Sequence, residues 1–347
     1  MEYSPNIQIL VDAAWNRHVP YIPLYEHNVC CGFFDAVTGK NLSSLLEGEK
    51  EDKKEFFRAY SQFLASCGYD AVPLEAGVVE LVQNGLGIMS QAGALIRTWE
   101  DLNNFPWDGI PDRYFARFSE LFDALSEVIP EGMKAVGGIG YGVFEITQDF
   151  IPFTELSYLS VDDPLLLKEL FSRVGDMLVS LWKRLLEQYG NLFAVCRSGD
   201  DLGYKTSTLL APDMIRTHII PQYRKIAEVI HGHRKPFLLH SCGHIFSVMD
   251  EIINAGIDAK HSNEDAVAPF REWVDRYGDR IGNFGGFDLN IICLEDEKTI
   301  KEYVTDILTY CRGKPGIAVG SGNQIADYVP PEGFTAMVEA VREFRGV

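Results

Sequence analysis

His240 and Cys242 stand one residue apart in the run Leu239-His240-Ser241-Cys242-Gly243. On an extended segment, residues two apart project to the same side. Imidazole nitrogen and thiolate sulfur are favoured zinc ligands. A third ligand from another strand, with one position left open, would make a catalytic centre. The competing reading is a buried thiol beside a histidine that makes an ordinary hydrogen bond. Further polar clusters follow apolar runs in the same manner: Glu26-His27-Asn28, Glu75, Arg197-Ser198-Gly199-Asp200-Asp201, His261-Ser262-Asn263-Glu264-Asp265, Gly285-Gly286-Phe287-Asp288 and Gly320-Ser321-Gly322-Asn323. Among them Asp200 is the candidate catalytic carboxylate, suited to a metal, a cation or a substrate amide, and Asp201 is left open. Glu26, Glu75, His261, Asn263, Asp288 and Asn323 are the candidates for binding a small substrate. A carboxylate after Gly also has a local use, capping the turn into the next helix.

The elements that must hold these residues follow from periodicity. Eight short apolar runs read as strands: Val19–Tyr25, Tyr69–Leu74, Met133–Ile139, Leu192–Cys196, Pro236–Leu239, Ile257–Ala259, Ile281–Phe284 and Gly316–Val319. Continuous apolar runs suit a parallel sheet buried on both faces. Helical patterns lie between them. Asp162-Asp163-Pro164 supplies capping carboxylates and a first-turn proline, and Leu167, Leu170, Val174, Leu178, Leu181 and Leu185 then recur at three- and four-residue spacing. Similar starts occur at Ala211-Pro212-Asp213, near Glu295 and at Pro330-Pro331-Glu332. Strand and helix alternating eight times predict an α/β fold, a (β/α)₈ TIM barrel, as one domain over 1–347 with an N-terminal extension. The stretch 77–130 is long for one crossover and predicts a helical insertion over the barrel mouth. A doubly wound sheet would need a Gly-rich phosphate turn after an early strand. Gly137-Gly138-Ile139-Gly140-Tyr141-Gly142 lacks that spacing and follows a third strand. In a barrel, the polar clusters above all fall at the C-terminal rim, where chemistry is done.

Composition narrows the partners. The 347 residues carry a net charge of −19, which disfavours phosphate backbones and anionic lipid, so neither nucleic acid nor membrane is an expected partner. No apolar run approaches the roughly 20 residues that span a bilayer. No secretory signal pattern is visible at the N-terminus, and the seven scattered Cys do not suggest a disulfide framework. A reducing cytoplasm is the expected setting.

With these residues in place, the chain resembles the uroporphyrinogen decarboxylase superfamily, and most of all its methyltransferase-like branch. The motifs are Gly199-Asp200-Asp201-Leu202-Gly203, Leu239-His240-Ser241-Cys242-Gly243, His261-Ser262-Asn263-Glu264-Asp265, Gly285-Gly286-Phe287-Asp288, and Gly320-Ser321-Gly322-Asn323 with Asp327-Tyr328-Val329-Pro330-Pro331-Glu332. The resemblance implies a barrel with one deep cleft. It also implies one of two activities. The decarboxylases act on a tetrapyrrole without metal or cofactor. The methyltransferases move a methyl group between a corrinoid on a partner protein and a thiol or pterin, using zinc held by a His-x-Cys pair and a later Cys. His240 and Cys242 match the pair. The later Cys falls near Ser321, so the third ligand is left open among Glu26, Glu75, Asp200 and Cys31. The decarboxylases' Arg-rich first-strand stretch is replaced by Tyr25-Glu26-His27-Asn28, which suits a many-acid porphyrinogen poorly. The expected activity is therefore a corrinoid-dependent methyltransferase with zinc, using methylcobalamin or a related corrinoid supplied by a corrinoid protein, and a small methyl donor or acceptor. The alternatives are a metal-free decarboxylase or lyase, with Asp200 or His240 as proton donor, and a non-catalytic ligand-binding barrel.

Overall fold

The structure, a computed structural model, describes residues 3–78 and 94–347. Among them seven parallel strands form one sheet in sequence order: β1 (Ala71–Glu75), β2 (Lys134–Tyr141), β3 (Phe193–Gly199), β4 (Phe237–His240), β5 (Ala259–His261), β6 (Gly282–Phe287) and β7 (Ile317–Ser321). The helices up to β3 are α1 (Ile7–Ala14), α2 (Cys31–Thr38), α3 (Lys50–Cys67), α4 (Trp99–Asn104), α5 (Ile110–Val128), α6 (Val143–Phe150), α7 (Phe153–Asp162) and α8 (Pro164–Tyr189). Alternation places one set of side chains inside the curved sheet. Tyr25, Ala71, Val136, Val195, Leu238, Ala259, Phe284 and Ala318 form that inner cluster. Leu10, Ala13 and Ala14 of α1 pack onto the same cluster and cover its lower end. The larger core lies between the outer face of the sheet and the helices.

The eighth strand expected at Val19–Tyr25 does not form. Pro20 and Pro23 remove two ladder donors, so the run cannot pair regularly. Only Leu24 pairs, with parallel bridges to Tyr69 beside β1 and to Val319 in β7. One residue thus links the two edges of the sheet, an arrangement consistent with a TIM-like barrel.

The helix starts obey the capping signals. Asp163 caps α8 by accepting from Leu166 N at 2.9 Å, and Asp296 caps the helix Glu297–Cys311 by accepting from Thr299 N at 2.8 Å. The glycines of β2 serve packing. Gly138 has φ +135°, and a Cβ there would meet the Trp182 ring of α8 at 2.3 Å. The stretch 77–130 holds α4 and α5; residues 79–93 of the expected insertion lie outside the described residues. No helix among the described residues is long and apolar enough to cross a membrane.

Candidate metal centre at the strand ends

Sheet register brings the first two site residues together. Gly199 pairs with His240, and His240 pairs with His261, so three strand ends meet at one level. The two rings touch through their Nδ1 atoms, 2.7 Å apart. His261 Nε2 lies 3.0 Å from the carbonyl of Ser321. A carbonyl only accepts, so His261 Nε2 carries its proton. Burial holds the His261 pKa down to about 3, which keeps the ring neutral. Its Nδ1 is then a lone pair and accepts from His240 Nδ1–H. Burial, aided by the positive charges of Arg197 and Lys260, also keeps His240 far below its ordinary pKa. Two hydrogen bonds therefore assign the tautomer of His240 and leave its Nε2 lone pair free to ligate.

That lone pair faces sulfur and oxygen. Cys242 Sγ lies 3.4 Å from His240 Nε2, and Asp201 Oδ1 lies 3.9 Å from it. Cys242 N–H donates to the same Asp201 oxygen at 2.9 Å. Tetrahedral zinc with N, O and S ligands has ligand-to-ligand edges of about 3.3–3.8 Å. Two edges of the Asp201–His240–Cys242 triangle, 3.4 and 3.9 Å, come close to this size, and its nitrogen, oxygen and sulfur donors, all within 4.8 Å of one another, suit zinc. Burial, reinforced by the Asp201 charge, pushes the Cys242 thiol well up, so a cation must accompany its ionisation. Ser262 Oγ at 3.5 Å and Asn323 Nδ2 at 3.7 Å flank the sulfur.

A second group of ring nitrogens, from His27, His240 and His261, also falls within 4.8 Å. It is a stack rather than a ligand set. His27 lies face to face on His240, with centroids 3.9 Å apart and planes at 28°. The Nδ1 atoms of His240 and His261 already face each other.

The other sequence candidates divide by what they touch. Glu75 stands at the cleft, its carboxylate bound by Arg197 at 2.7 Å and 3.9 Å from His27 Nε2. Arg197 is buried and also donates to Tyr25 OH and the His27 carbonyl. Asn263 is buried, its Oδ1 accepting from Gly286 N at 2.7 Å, while its Nδ2 has no partner among the described residues. Three candidates are engaged by the framework. Glu26 accepts from Ser321 N at 3.0 Å, Ser321 Oγ at 2.5 Å and Tyr69 OH at 3.1 Å. Asp288 caps the helix Leu289–Leu294 through Asn290 N and also accepts from Asp265 N. Asp200 accepts from Phe144 N and Glu145 N, the first turn of α6, and from Tyr223 OH at 2.6 Å. Its pKa is raised to about 6 by burial, against the lowering effect of those donors.

None of the four residues weighed as third ligand joins the triangle; Asp201 does. Beyond Gly199 the chain keeps alternating, so Asp200 turns out to α6 and Asp201 turns in to the sulfur. That alternation was the available signal. His27 carried only its place in the cluster Glu26-His27-Asn28, and its contact with His240 could not be read from that, because it follows a segment without regular pairing.

The uroporphyrinogen decarboxylase (URO-D) family profile matches residues 85–344. No curated protein matches the chain at significant similarity. A methyltransferase from Methanosarcina mazei superposes with TM-score 0.74 at 16% identity, covering 99% of this chain and 100% of its own. Native xylanase 10B from Thermotoga maritima reaches 0.47 at 11% identity, covering 97% of this chain and 98% of its own. Identities this low speak to fold alone. The profile takes in three quarters of the sequence, including every strand end of the centre except those of the first segment and β1, and the chain belongs to the uroporphyrinogen decarboxylase family.

Proposed function

We propose that this protein is a methyltransferase that moves a methyl group between a corrinoid on a partner protein and a small thiol, pterin or methylated substrate, with zinc held by Asp201, His240 and Cys242. The observation that carries the reading is the donor triangle with the lone pair of His240 Nε2 aimed into it. Zinc there would supply Lewis acidity, lowering the pKa of a bound thiol or polarising a methylated heteroatom.

The chain's own groups have definable tasks. His261 and the Ser321 carbonyl hold His240 in one tautomer and one orientation. Asn323 Nδ2 and Ser262 Oγ stand where they can donate to the sulfur. Asn263 Nδ2, buried without a partner among the described residues, suits a substrate acceptor atom. The heteroatom that loses a methyl cation equivalent keeps the electron pair and takes a proton. Glu145, whose pKa is raised well above the ordinary carboxylate value by burial and by the neighbouring charges of Asp201 and Asp200, is a suitable proton source. Tyr141, Tyr204, Leu294 and Tyr328 are exposed on segments at or following the ends of β2, β3, β6 and β7, an apolar rim suited to a partner protein. The decarboxylase alternative needs cations for substrate acids, yet of the three rim candidates Arg197 is paired with Glu75, Arg97 with Glu155, and Lys260 is turned onto the Ser262 carbonyl and the Trp273 ring.

Metal analysis tests the reading. The protein purified with zinc should carry about one zinc per chain. His240→Ala and Cys242→Ala should each remove it, along with demethylation of methylcobalamin. Zinc retained by both variants, or absent from the unaltered protein, sinks the proposal. His261→Phe leaves all three donors but frees the tautomer of His240. Its zinc affinity should fall by about 10–100-fold in a competition titration, as for other partners behind a metal ligand.

A further inference from the structure

The chain that carries Asp201 continues as a small hairpin. Beyond β3, Gly203 and Thr208 form an antiparallel bridge, Tyr204 N donates to Ser207 O at 2.7 Å, and Leu209 N donates to Leu202 O at 2.7 Å. Leu202 at its base is buried, and its tip, residues 204–207, is exposed. Asp201 stands at the foot of this hairpin. Its side chain is 39% exposed, against 8% for His240. Side-chain packing therefore does little to hold this donor in place.

What holds it is backbone. The hairpin lies against residues 241–244, which follow β4. Leu202 N donates to Ser241 Oγ at 3.1 Å, Cys242 N donates to Asp201 Oδ1 at 2.9 Å, and His244 N donates to Tyr204 O at 2.7 Å. Among these three bonds the two chains touch at Gly203 and Gly243. A Cβ at Gly203 would lie 2.5 Å from the Cys242 carbonyl oxygen and 2.7 Å from the Gly243 carbonyl carbon and His244 N. A Cβ at Gly243 would lie 2.4 Å from the Gly203 carbonyl carbon. Real Cβ contacts do not fall below 3.0 Å, so only two glycines let the chains come this near. The chain at 240–241 is fixed from its other side. His240 pairs with His261, and Ser241 N donates to His261 O at 2.8 Å. His240 and Cys242 thus ride on the sheet, whereas Asp201 arrives with the hairpin.

We infer that the contact of Gly203 with Cys242 and Gly243 is a clip that seats the third metal donor, which makes Gly203 a positioning residue for the zinc centre, acting through Asp201. The inference rests on the reading of the donor triangle as a zinc site. The distances decide its weight. A side chain at Gly203 must open the contact by at least 0.5 Å, from 2.5 Å to the 3.0 Å minimum. Metal–ligand distances hold within about 0.2 Å. The displacement falls on the hairpin, because its tip is exposed while 240–241 are bonded to β5. Gly203 is also the cleaner of the two glycines to change. Gly243 has φ +77°, where any other residue is strained, and Gly203 lies outside that region. Gly203→Ala therefore alters the spacing of the two chains alone.

Zinc affinity, read by competition with a chromophoric chelator, tests the clip. Gly203→Ala should bind zinc at least about tenfold more weakly than the unaltered protein, the scale seen when a group behind a metal ligand is lost. Asp201→Ala should also lose affinity. Adding Gly203→Ala to it should cost nothing further, because a residue that acts through Asp201 then has nothing to position. Thr206→Ala, at the exposed tip, should bind zinc as the unaltered protein does. Undiminished affinity in Gly203→Ala overturns the inference, as does an equal loss whether Asp201 is present or absent, which is what a merely structural role would give. Far-UV circular dichroism reports whether Gly203→Ala folds. Where it does not, Ser241→Ala decides, since it releases Leu202 N from the clip without adding an atom. That variant should weaken zinc binding when Asp201 is present and not when it is Ala; no weakening, or the same weakening in both, overturns the inference. An unaltered protein that takes up no zinc sinks the metal reading and the clip with it, whereas tight zinc in both the unaltered protein and Gly203→Ala sinks the clip alone.

Discussion

Arg197→Met should cost about 3–5 kcal/mol of stability, read as a lower urea midpoint. Arg197 is 1% exposed, and its guanidinium meets Glu75 at 2.7 Å, Tyr25 OH at 3.5 Å and the His27 carbonyl. Met keeps much of the volume but removes every donor. Glu75 then loses its cation, and the His27 carbonyl is left without its partner. The cost comes from orphaning these groups, since a buried pair replaced as a whole costs far less than one broken. The double variant Arg197→Met/Glu75→Gln should therefore recover part of the loss. A single-variant change below about 1 kcal/mol, the range of an exposed ion pair, would mean that the pair is solvated in solution.

The second large effect is a pH dependence. Burial raises the Glu26 pKa to about 7 from 4.5, against the lowering effect of hydrogen bonds from Ser321 and Tyr69. The folded state then holds this proton more tightly than the unfolded chain. Between about pH 4.5 and 7 the native form binds more protons, so stability falls as pH rises through that window. The shift corresponds to about 3 kcal/mol once both states are ionised, above pH 7. Glu26→Gln removes the titration and keeps the shape. Its carbonyl can accept from Ser321 N and Tyr69 OH, and its amide can donate to Ser321 Oγ. Relative to the unaltered protein the variant should gain stability steadily from pH 4.5 to 7 and level off above. Other titrations, including that of Asp200, occur in both proteins and cancel in the difference. Parallel stability curves across this window would show that Glu26 ionises in the folded state as easily as in water.

The two predictions concern residues that looked alike in the sequence. Glu26 and Glu75 each follow an apolar run, and each was a candidate for binding substrate. Glu75 ends a paired strand and reaches the cleft. Glu26 follows a segment whose prolines prevent pairing, and its carboxyl turns into the wall to hold β7. The same limit explains His27. Its ring lies on His240 only because that irregular segment crosses the sheet edge, and no spacing along the chain encodes a contact made 213 residues apart.

What the sequence determined is local. Period-two and period-3.6 patterns, Asp163 before Pro164, and the run His240-x-Cys242 suffice to place seven strands, the long helix after β2 and two metal-type donors on one side of one strand end, because each follows from the geometry of a few neighbouring residues. The tertiary structure decided which side chains meet. It set His240 against His261 by register, and sent Asp200 to the amides of α6 and Asp201 to Cys242. Those outcomes depend on distances between strands far apart in the chain, where a turn of one residue reverses the direction in which a carboxylate points.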